Sequence, residues 1–404
     1  MDYPKLRSLE AFPVKEKGQR LMCLRDPANM APDVVLLSPE AFNIVRMFDG
    51  SNSVVDIQAA YMRRTGSLLY SDKVKELIEK LDEAHMLEGV AFEKYKKGLE
   101  DEFRAAEVRR SFHAGRSYPR SVGEVETLLS SLFLAEDGPG EIPKAGTGKP
   151  LKGAVLPHID LERGGRCYAR GWHAAAAGCR ARRFIVIGTG HFDLKLPLAL
   201  TRKDFETPLG LVRTDKAFVD ELAQKVGPKA FEGEISHRTE HSIEFQLLFI
   251  QYLFGPDVEL VPVLAIARQE PAWAESGFIS PLATDFVSAT RQLIDEAPGE
   301  TFVVASADLA HIGPRFGDDP RIEITEQSAE VAKQKDLELL RLLEKPDIAA
   351  FANEVQSDRN ARHICGFMPI LLAAAITGGS FRLIDYSQAF DPMGTVTFGS
   401  LVIE

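Results

Sequence analysis

From residue 154 to the C-terminus, short apolar runs alternate with segments of helical length. The runs Ala154–Leu156, Phe184–Gly188, Leu196–Leu200, Glu259–Leu264, Phe302–Ala305 and Val396–Ile403 read as strands. Between them lie helix candidates at Arg166–Ala177, Lys216–Lys225, Glu240–Leu253, Ile279–Asp295, Ile322–Leu343 and Pro369–Ile376. Apolar strands separated by helices must bury both kinds of element against one another, which predicts an α/β domain with a central sheet flanked by helices.

Chemistry-bearing residues sit where that sheet would end. His158 follows Ala154–Leu156 and His191 follows Phe184–Ile187. Cys365 lies in a polar turn before the Pro369–Ile376 helix. In an open α/β sheet the strand ends and the loops after them form the ligand crevice. Two imidazoles and a thiolate converging there suit a soft or borderline metal, and three protein ligands leave a coordination position open. Taken singly, each of these residues is more often structural; the sequence words around them are what raise them above that. Around them, Glu240, His241 and Glu244 share a helix start, and Asp308 follows the Phe302–Ala305 strand. Asp308 is a candidate acceptor for a ring N–H or a base, and His241 a candidate proton donor or substrate contact.

The first hundred residues form a different pattern. Arg20–Leu24 and Val34–Leu37 read as a strand pair, and Ser38-Pro39 starts a helix running to about Phe48. Val54–Arg63 is a second helix, and Ser71 can cap a third with Val74, Leu77, Ile78 and Leu81 on one face. Val90–Phe92 reads as a short strand, residues 94–110 as a solvated helical linker, and residues 135–150 as an exposed loop. The expected division is a small winged-helix-like α+β domain over 1–105 and the α/β domain over 106–404. Residues 1–110 carry 18 Lys/Arg and 19 Asp/Glu, a net −1, and the third helix mixes lysines with acids. That is not the basic face a DNA reader needs, so no nucleic-acid partner is expected.

The whole chain carries a net −11, which argues against general polyanion binding. No apolar run is long enough for a membrane span, and Met-Asp-Tyr-Pro-Lys lacks the pattern of a secretory leader. Four scattered cysteines, Cys23, Cys167, Cys179 and Cys365, form no disulfide framework. The expectation is a cytoplasmic protein with no membrane association.

The words Phe112-His-Ala-Gly-Arg-Ser-Tyr118, Leu156-Pro-His-Ile159, Gly188-Thr-Gly-His191, Glu240-His-Ser-Ile-Glu244, Ala305-Ser-Ala-Asp308 with His311, and Ile364-Cys-Gly366 occur in this order. From about Ser111 onward the chain therefore resembles the Memo family, also called AmmeMemoRadiSam system protein B. That family is related in fold to the catalytic subunit of class III extradiol dioxygenases. The resemblance implies metal ligation by His158, His191 and Cys365, pocket roles for His241 and Asp308, and Fe(II) or Cu(I), with Zn(II) an alternative. It also implies radical-SAM and AMMECR-type partners and a redox or metal-linked role. The N-terminal part resembles PqqD-like peptide-binding domains in pattern. Two other readings stay open: a non-haem iron extradiol-type dioxygenase, and a metal-free scaffold binding a peptide or small molecule. Departures from the family words are Ile159-Asp160-Leu161 after Pro157-His158, Phe192 after His191, Gln246 in the Glu240 helix, and Phe367-Met368 after Cys-Gly. Asp160 and His363 are nearby polar candidates to compensate.

Overall fold

A computed structural model describes residues 1–191, 196–266, 280–297, 299–345 and 347–404. The chain divides into two compact units, Met1–Ala105 and Ala106–Glu404.

In the first unit, β1 (Glu10–Glu16), β2 (Gln19–Arg25) and β3 (Val35–Leu37) form an antiparallel sheet in that order. Four helices follow: α1 (Pro39–Val45), α2 (Val54–Thr65), α3 (Ser71–Glu83) and α4 (Val90–Ala105). Ser38 caps α1 by accepting from the Ala41 N–H, and Ser53 with Asp56 forms a reciprocal capping box on α2. Helical spacing places Val74, Ile78 and Leu81 of α3 in one core with Val45, Ile57 and Tyr61, while Leu77 lies at its margin. Two expectations need correction. Ser71 is not a cap: the N-cap is Tyr70, and the Ser71 hydroxyl instead donates to Gln58 Oε1 at 3.2 Å. Val90–Phe92 is not a strand but the first turn of α4. Three apolar residues do not hold extended structure when good helix formers, Glu93 to Lys97, follow them.

The second unit begins with β4 (Val108–Arg109), α5 (Val122–Leu134), β5 (Gly153–Leu156), α6 (Leu161–Gly178) and β6 (Arg183–Thr189). It continues through β7 (Leu198–Leu200), β8 (Asp204–Thr207), β9 (Gly210–Thr214), α7 (Lys216–Val226), α8 (His241–Phe254) and β10 (Glu259–Ala265). Then come α9 (Pro281–Glu296), β11 (Thr301–Ser306), β12 (Asp308–Ile312), α10 (Glu326–Arg341), α11 (Ile348–Ser357), α12 (Phe367–Thr377), β13 (Phe381–Ala389) and β14 (Thr395–Ile403). These strands build one mixed sheet in the order β12-β14-β5-β11-β6-β10-β9-β8-β4, with β13 on β14 and β7 on β10. Its centre is parallel, β5-β11-β6-β10.

The central strands are apolar throughout because both faces are covered. Val155, Ile185, Ile187, Val261, Val263, Val303 and Ala305 face a core shared with α7, α9, α11 and α12. Their alternates Ala154, Leu156, Phe184, Val186, Leu260, Leu264, Phe302 and Val304 face α5, α6 and α8. Gly188 lets α8 lie close on β6, since a Cβ there would stand 2.5 Å from Ser242 Oγ. No helix among the described residues is long and apolar enough to cross a membrane.

Boundaries shifted where local chemistry was stronger than apolar pattern. Thr325 caps α10 with a box to Ser328, so Ile322 lies outside the helix and is exposed. The expected strand at Leu196 begins at Leu198, and the expected helix at Pro369 begins at Phe367. The Ile279 helix start lies outside the described residues. The charged run 94–110 is not one solvated linker: α4 takes its first part, β4 follows, and Arg109 is fully buried.

Candidate metal centre

Sheet register decides what meets at the carboxyl edge. Ser306 at the end of β11 is level with Leu156 of β5 on one side and Gly188 of β6 on the other. The residues just beyond these ends, His158, Asp308 and His191, are therefore delivered to one edge, as the strand-end rule requires. The first residue of α8, His241, and the turn before α12, with Cys365, reach the same place.

One ring nitrogen from each of His158, His191 and His241 lies within 4.8 Å of the others, a group that can hold a metal ion. The His191 and His241 rings are stacked at 4.8 Å, and His158 stands nearly perpendicular to both. Hydrogen bonds set which nitrogen each ring presents. His158 Nδ1 donates to the Ser306 carbonyl at 3.0 Å. His191 Nδ1 donates to the Glu240 carboxylate at 3.0 Å, and His241 Nδ1 faces the same carboxylate at 3.1 Å. A carbonyl and a carboxylate can only accept, so each Nδ1 carries a proton and Nε2 is the nitrogen each ring has left to offer an ion. The Cys365 Sγ lies 3.3 Å from His158 Nε2 and donates its S–H there.

Electrostatics follow from burial. Desolvation pushes His158 well below the usual imidazole range, keeping it neutral. The same burial opposes charge on His191, but Glu240 and the Cys365 sulfur outweigh it and raise His191 well above that range. Burial raises the Cys365 thiol, with His191 pulling the other way.

Two carboxylates on α8 hold the site together. Glu240 is the N-cap, accepting from the His241 and Ser242 N–H groups, and also accepts from the His191 backbone. One turn on, Glu244 is fully buried and pairs with the fully buried Arg109. It also accepts from the backbone N–H groups of Phe112 and His113, at 3.1 and 2.9 Å, and from the Tyr118 hydroxyl. Arg109 spends its remaining donors on the His237 and Glu240 carbonyls. The segment 109–118 is thereby tied to the start of α8, with the His113 ring edge-on to His241 at 5.7 Å. Neither Arg109 nor the Ser306 carbonyl is recognisable in the sequence; Arg109 looks like its charged neighbours Arg104 and Arg110.

The sequence candidates sort as follows. His158, His191 and Cys365 come together, and His241, expected as a pocket residue, stands among the potential ligands themselves. Asp308 is buried; its Oδ1 accepts from the His158 backbone N–H at 2.9 Å, and its Oδ2 lies 3.7 Å from His158 Nε2. It does not accept the Nδ1 proton of a site histidine; a main-chain carbonyl and Glu240 do. Asp160 is the N-cap of α6 and pairs with Arg163, and His363 is exposed, so neither compensates at the site. His237, in a polar stretch of the sequence, is buried with Nε2 donating to the Ala199 carbonyl. Cys167 and Cys179 are buried thiols held up near 12 by desolvation. Phe192 lies outside the described residues. Gln246 is buried and bridges the Pro157 carbonyl and Ser306 Oγ while accepting from Trp172.

Residues 109–397 match the family model described as Memo-like protein. The chain is 25% identical over 394 residues to a MEMO1 family protein of Aquifex aeolicus, covering 95% of this chain and 94% of that one. It is 28% identical over 299 residues to a MEMO1 family protein of Thermus thermophilus, covering 74% and 82%. It is also 28% identical over 306 residues to one of Methanosarcina acetivorans, covering 74% of this chain and all of that one.

Proposed function

This chain belongs to the Memo-like protein family, and from that premise we propose that it is a metal-binding protein with a redox or metal-linked role. The observation that carries this reading is the shared tautomer of three converging imidazoles. Each Nδ1 is engaged by an acceptor, and one nitrogen of each ring lies within 4.8 Å of the others, which makes Nε2 the nitrogen each ring would give an ion. A lone pair aimed inward and an N–H anchored outward is the arrangement of metal-ligating histidine. In this reading His158, His191 and His241 hold the ion, and Cys365 adds a thiolate beside His158. Such a mixed nitrogen and sulfur set fits Cu(I), Fe(II) or Zn(II). The bound metal would supply a Lewis-acidic or redox-active centre.

The protein's own groups would then orient and exclude. Ser306 and Glu240 fix the rings, Glu244 and Arg109 hold the 109–118 wall, and His113 packs over His241. Asp308, level with His158, is the group available to hold or move a proton at the site. Its nearness to His158 Nε2 also supports a second reading, an extradiol-type dioxygenase whose iron has a carboxylate ligand. By the same family premise the protein works in the cytoplasm with radical-SAM and AMMECR-type partners. In this proposal the N-terminal unit, a sheet followed by helices, is a winged-helix-like, PqqD-like module that docks a peptide.

Protein purified without air should carry about one copper or iron per chain, on the stoichiometry of a single site. His158→Ala together with His191→Ala should abolish it. Absence of metal under every anaerobic loading condition would overturn the reading, whereas turnover of a catechol by the iron form would favour the second one.

A further inference from the structure

The turn that delivers Cys365 is held in an unusual backbone state. Arg359, Asn360 and His363 adopt φ values of 57°, 54° and 49°, left-handed conformations that residues with a Cβ rarely keep without surrounding restraint. Asn360 supplies part of that restraint by clasping Ile364, accepting from its N–H at 2.8 Å and donating to its carbonyl. Local hydrogen bonds from Arg359, Asn360, Ala361 and His363 add to it, and one long-range restraint is a buried charge. Arg362 reaches away from the site and pairs with Asp336 of α10, a residue with no exposed surface. Asp336 also accepts from the Tyr386 hydroxyl at 2.9 Å and from Thr397 Oγ1 at 2.5 Å. Thr397 Oγ1 in turn accepts from the Ala310 N–H, and the Arg362 carbonyl accepts from the His311 N–H. One carboxylate thus joins α10, β13 and β14 to the turn.

No other described feature has this form. The Arg109–Glu244 pair belongs to the site already described, and at the open pocket of about 350 Å³ near Cys179 the Arg180 and Arg182 guanidinium groups donate to the Gly148 and Asp257 carbonyls. The Asp336 carboxylate touches neither Cys365 nor the histidines. Its direct connection to the turn runs through Arg362, three residues before the thiol; a longer one runs through Thr397 to Ala310 of β12. On the far side of Cys365 the chain is fixed by β12: Gly366 donates to the Asp308 carbonyl at 3.0 Å, and a Cβ on Gly366 would stand 2.4 Å from that oxygen.

We infer that Asp336 is a positioning residue for the metal centre, acting through Arg362 to hold the strained 359–363 turn so that the Cys365 sulfur stays against His158. The inference rests on the proposed ligand role of Cys365 for its consequence in metal binding, but not for its geometric content. Asparagine at 336 keeps the size and the bonds to Tyr386 and Thr397 while removing the charge that holds Arg362.

The experiment measures alkylation of each cysteine by mass spectrometry in chelator-treated, metal-free full-length protein. It then measures the sulfur-to-metal charge-transfer absorption after Co(II) is added. Asp336→Asn should speed alkylation of Cys365 at least about tenfold while leaving Cys167 and Cys179 unchanged, because local opening exposes one thiol and general loosening of the second unit would expose all three that it carries. With Co(II) the variant should lose the thiolate band and bind about 10- to 100-fold more weakly, the usual range for a residue that orients ligands. Arg362→Lys, which keeps the charge, should lie between parent and Asp336→Asn. If Asp336→Asn does not fold, Arg362→Gln tests the same link from its other end. Unchanged Cys365 alkylation in a folded variant overturns the inference, as does equal acceleration at all three cysteines. If the parent itself gives no thiolate band while alkylation responds as expected, the positioning role stands and the ligand role of Cys365 falls.

Discussion

The Glu240 carboxylate receives the Nδ1 proton of His191 at 3.0 Å from the same position in which it caps α8. One side chain therefore starts the helix that brings His241 to the site and sets the tautomer of the neighbouring imidazole. Glu240→Gln separates these tasks. A side-chain amide keeps one accepting oxygen and turns a donor toward the remaining groups, so it cannot accept from both rings and from the His191, His241 and Ser242 backbone N–H groups that Glu240 now serves. We expect metal affinity to fall about 10- to 100-fold, with a stability loss of about 1 kcal/mol from the weakened cap. A competition titration reads the first and denaturant unfolding the second; unchanged affinity would contradict the tautomer argument.

Cys365→Ser should keep the fold and lose most soft-metal affinity, because a neutral hydroxyl is a poor ligand of similar size. Cys365→Glu should shift preference from Cu(I) toward Fe(II) by replacing the thiolate with a hard oxygen donor. In the parent, bound metal should protect Cys365 from alkylation, and its removal should restore reactivity. Cys167→Ser should change none of these. Equal Cu(I) affinity in parent and Cys365→Ser, measured against a chelator, would remove the thiolate from the site.

Arg109→Met should be among the most damaging single changes. Both Arg109 and Glu244 are fully buried, so the substitution leaves a carboxylate without its counter-ion. A loss of roughly 3–5 kcal/mol is expected from breaking such a pair. Equilibrium unfolding of the two proteins measures it, and a loss under about 1 kcal/mol, the scale of an exposed pair, would show that the pair is not the anchor of the 109–118 segment.

Stability should fall on acidification because buried imidazoles resist protonation. His237 is held down to about 3 by burial from an ordinary 6.5. The unfolded chain therefore takes up a proton below pH 6.5 that the folded chain refuses until near pH 3, and stability rises with pH across that window. Between pH 7 and pH 5 this one group accounts for about 2 kcal/mol. His113 and His311, each lowered to about 4 mainly by burial, act in the same direction. His237→Gln should flatten the dependence of unfolding free energy on pH in this range; an unchanged slope would show that the imidazole is not the group responsible.

Much of the second unit was legible because its strands are buried on both faces and its helices alternate with them. Val155 and Leu156, or Ile185 and Val186, declare a strand whichever face they fill. His158 and His191 were legible for a related reason: each follows such a strand directly. Where the sequence misled, a single polar contact was stronger than pattern. Thr325 moved a helix start, the helix formers after Phe92 converted an expected strand, and Glu244 drew Arg109 out of a run that reads as solvated.

By itself the sequence determined the strands, the helices and the placement of two imidazoles at strand ends, because those follow from side chains near one another in the chain. Only the tertiary structure decided that His241 joins them, that Cys365 lies 3.3 Å from a residue 207 positions earlier, and that an acceptor engages Nδ1 of each ring. Those facts depend on strand order, on the level ends of β5, β11 and β6, and on hydrogen-bond acceptors brought by distant segments. Local pattern carries no record of such neighbours, since the contacts exist only once the sheet has formed.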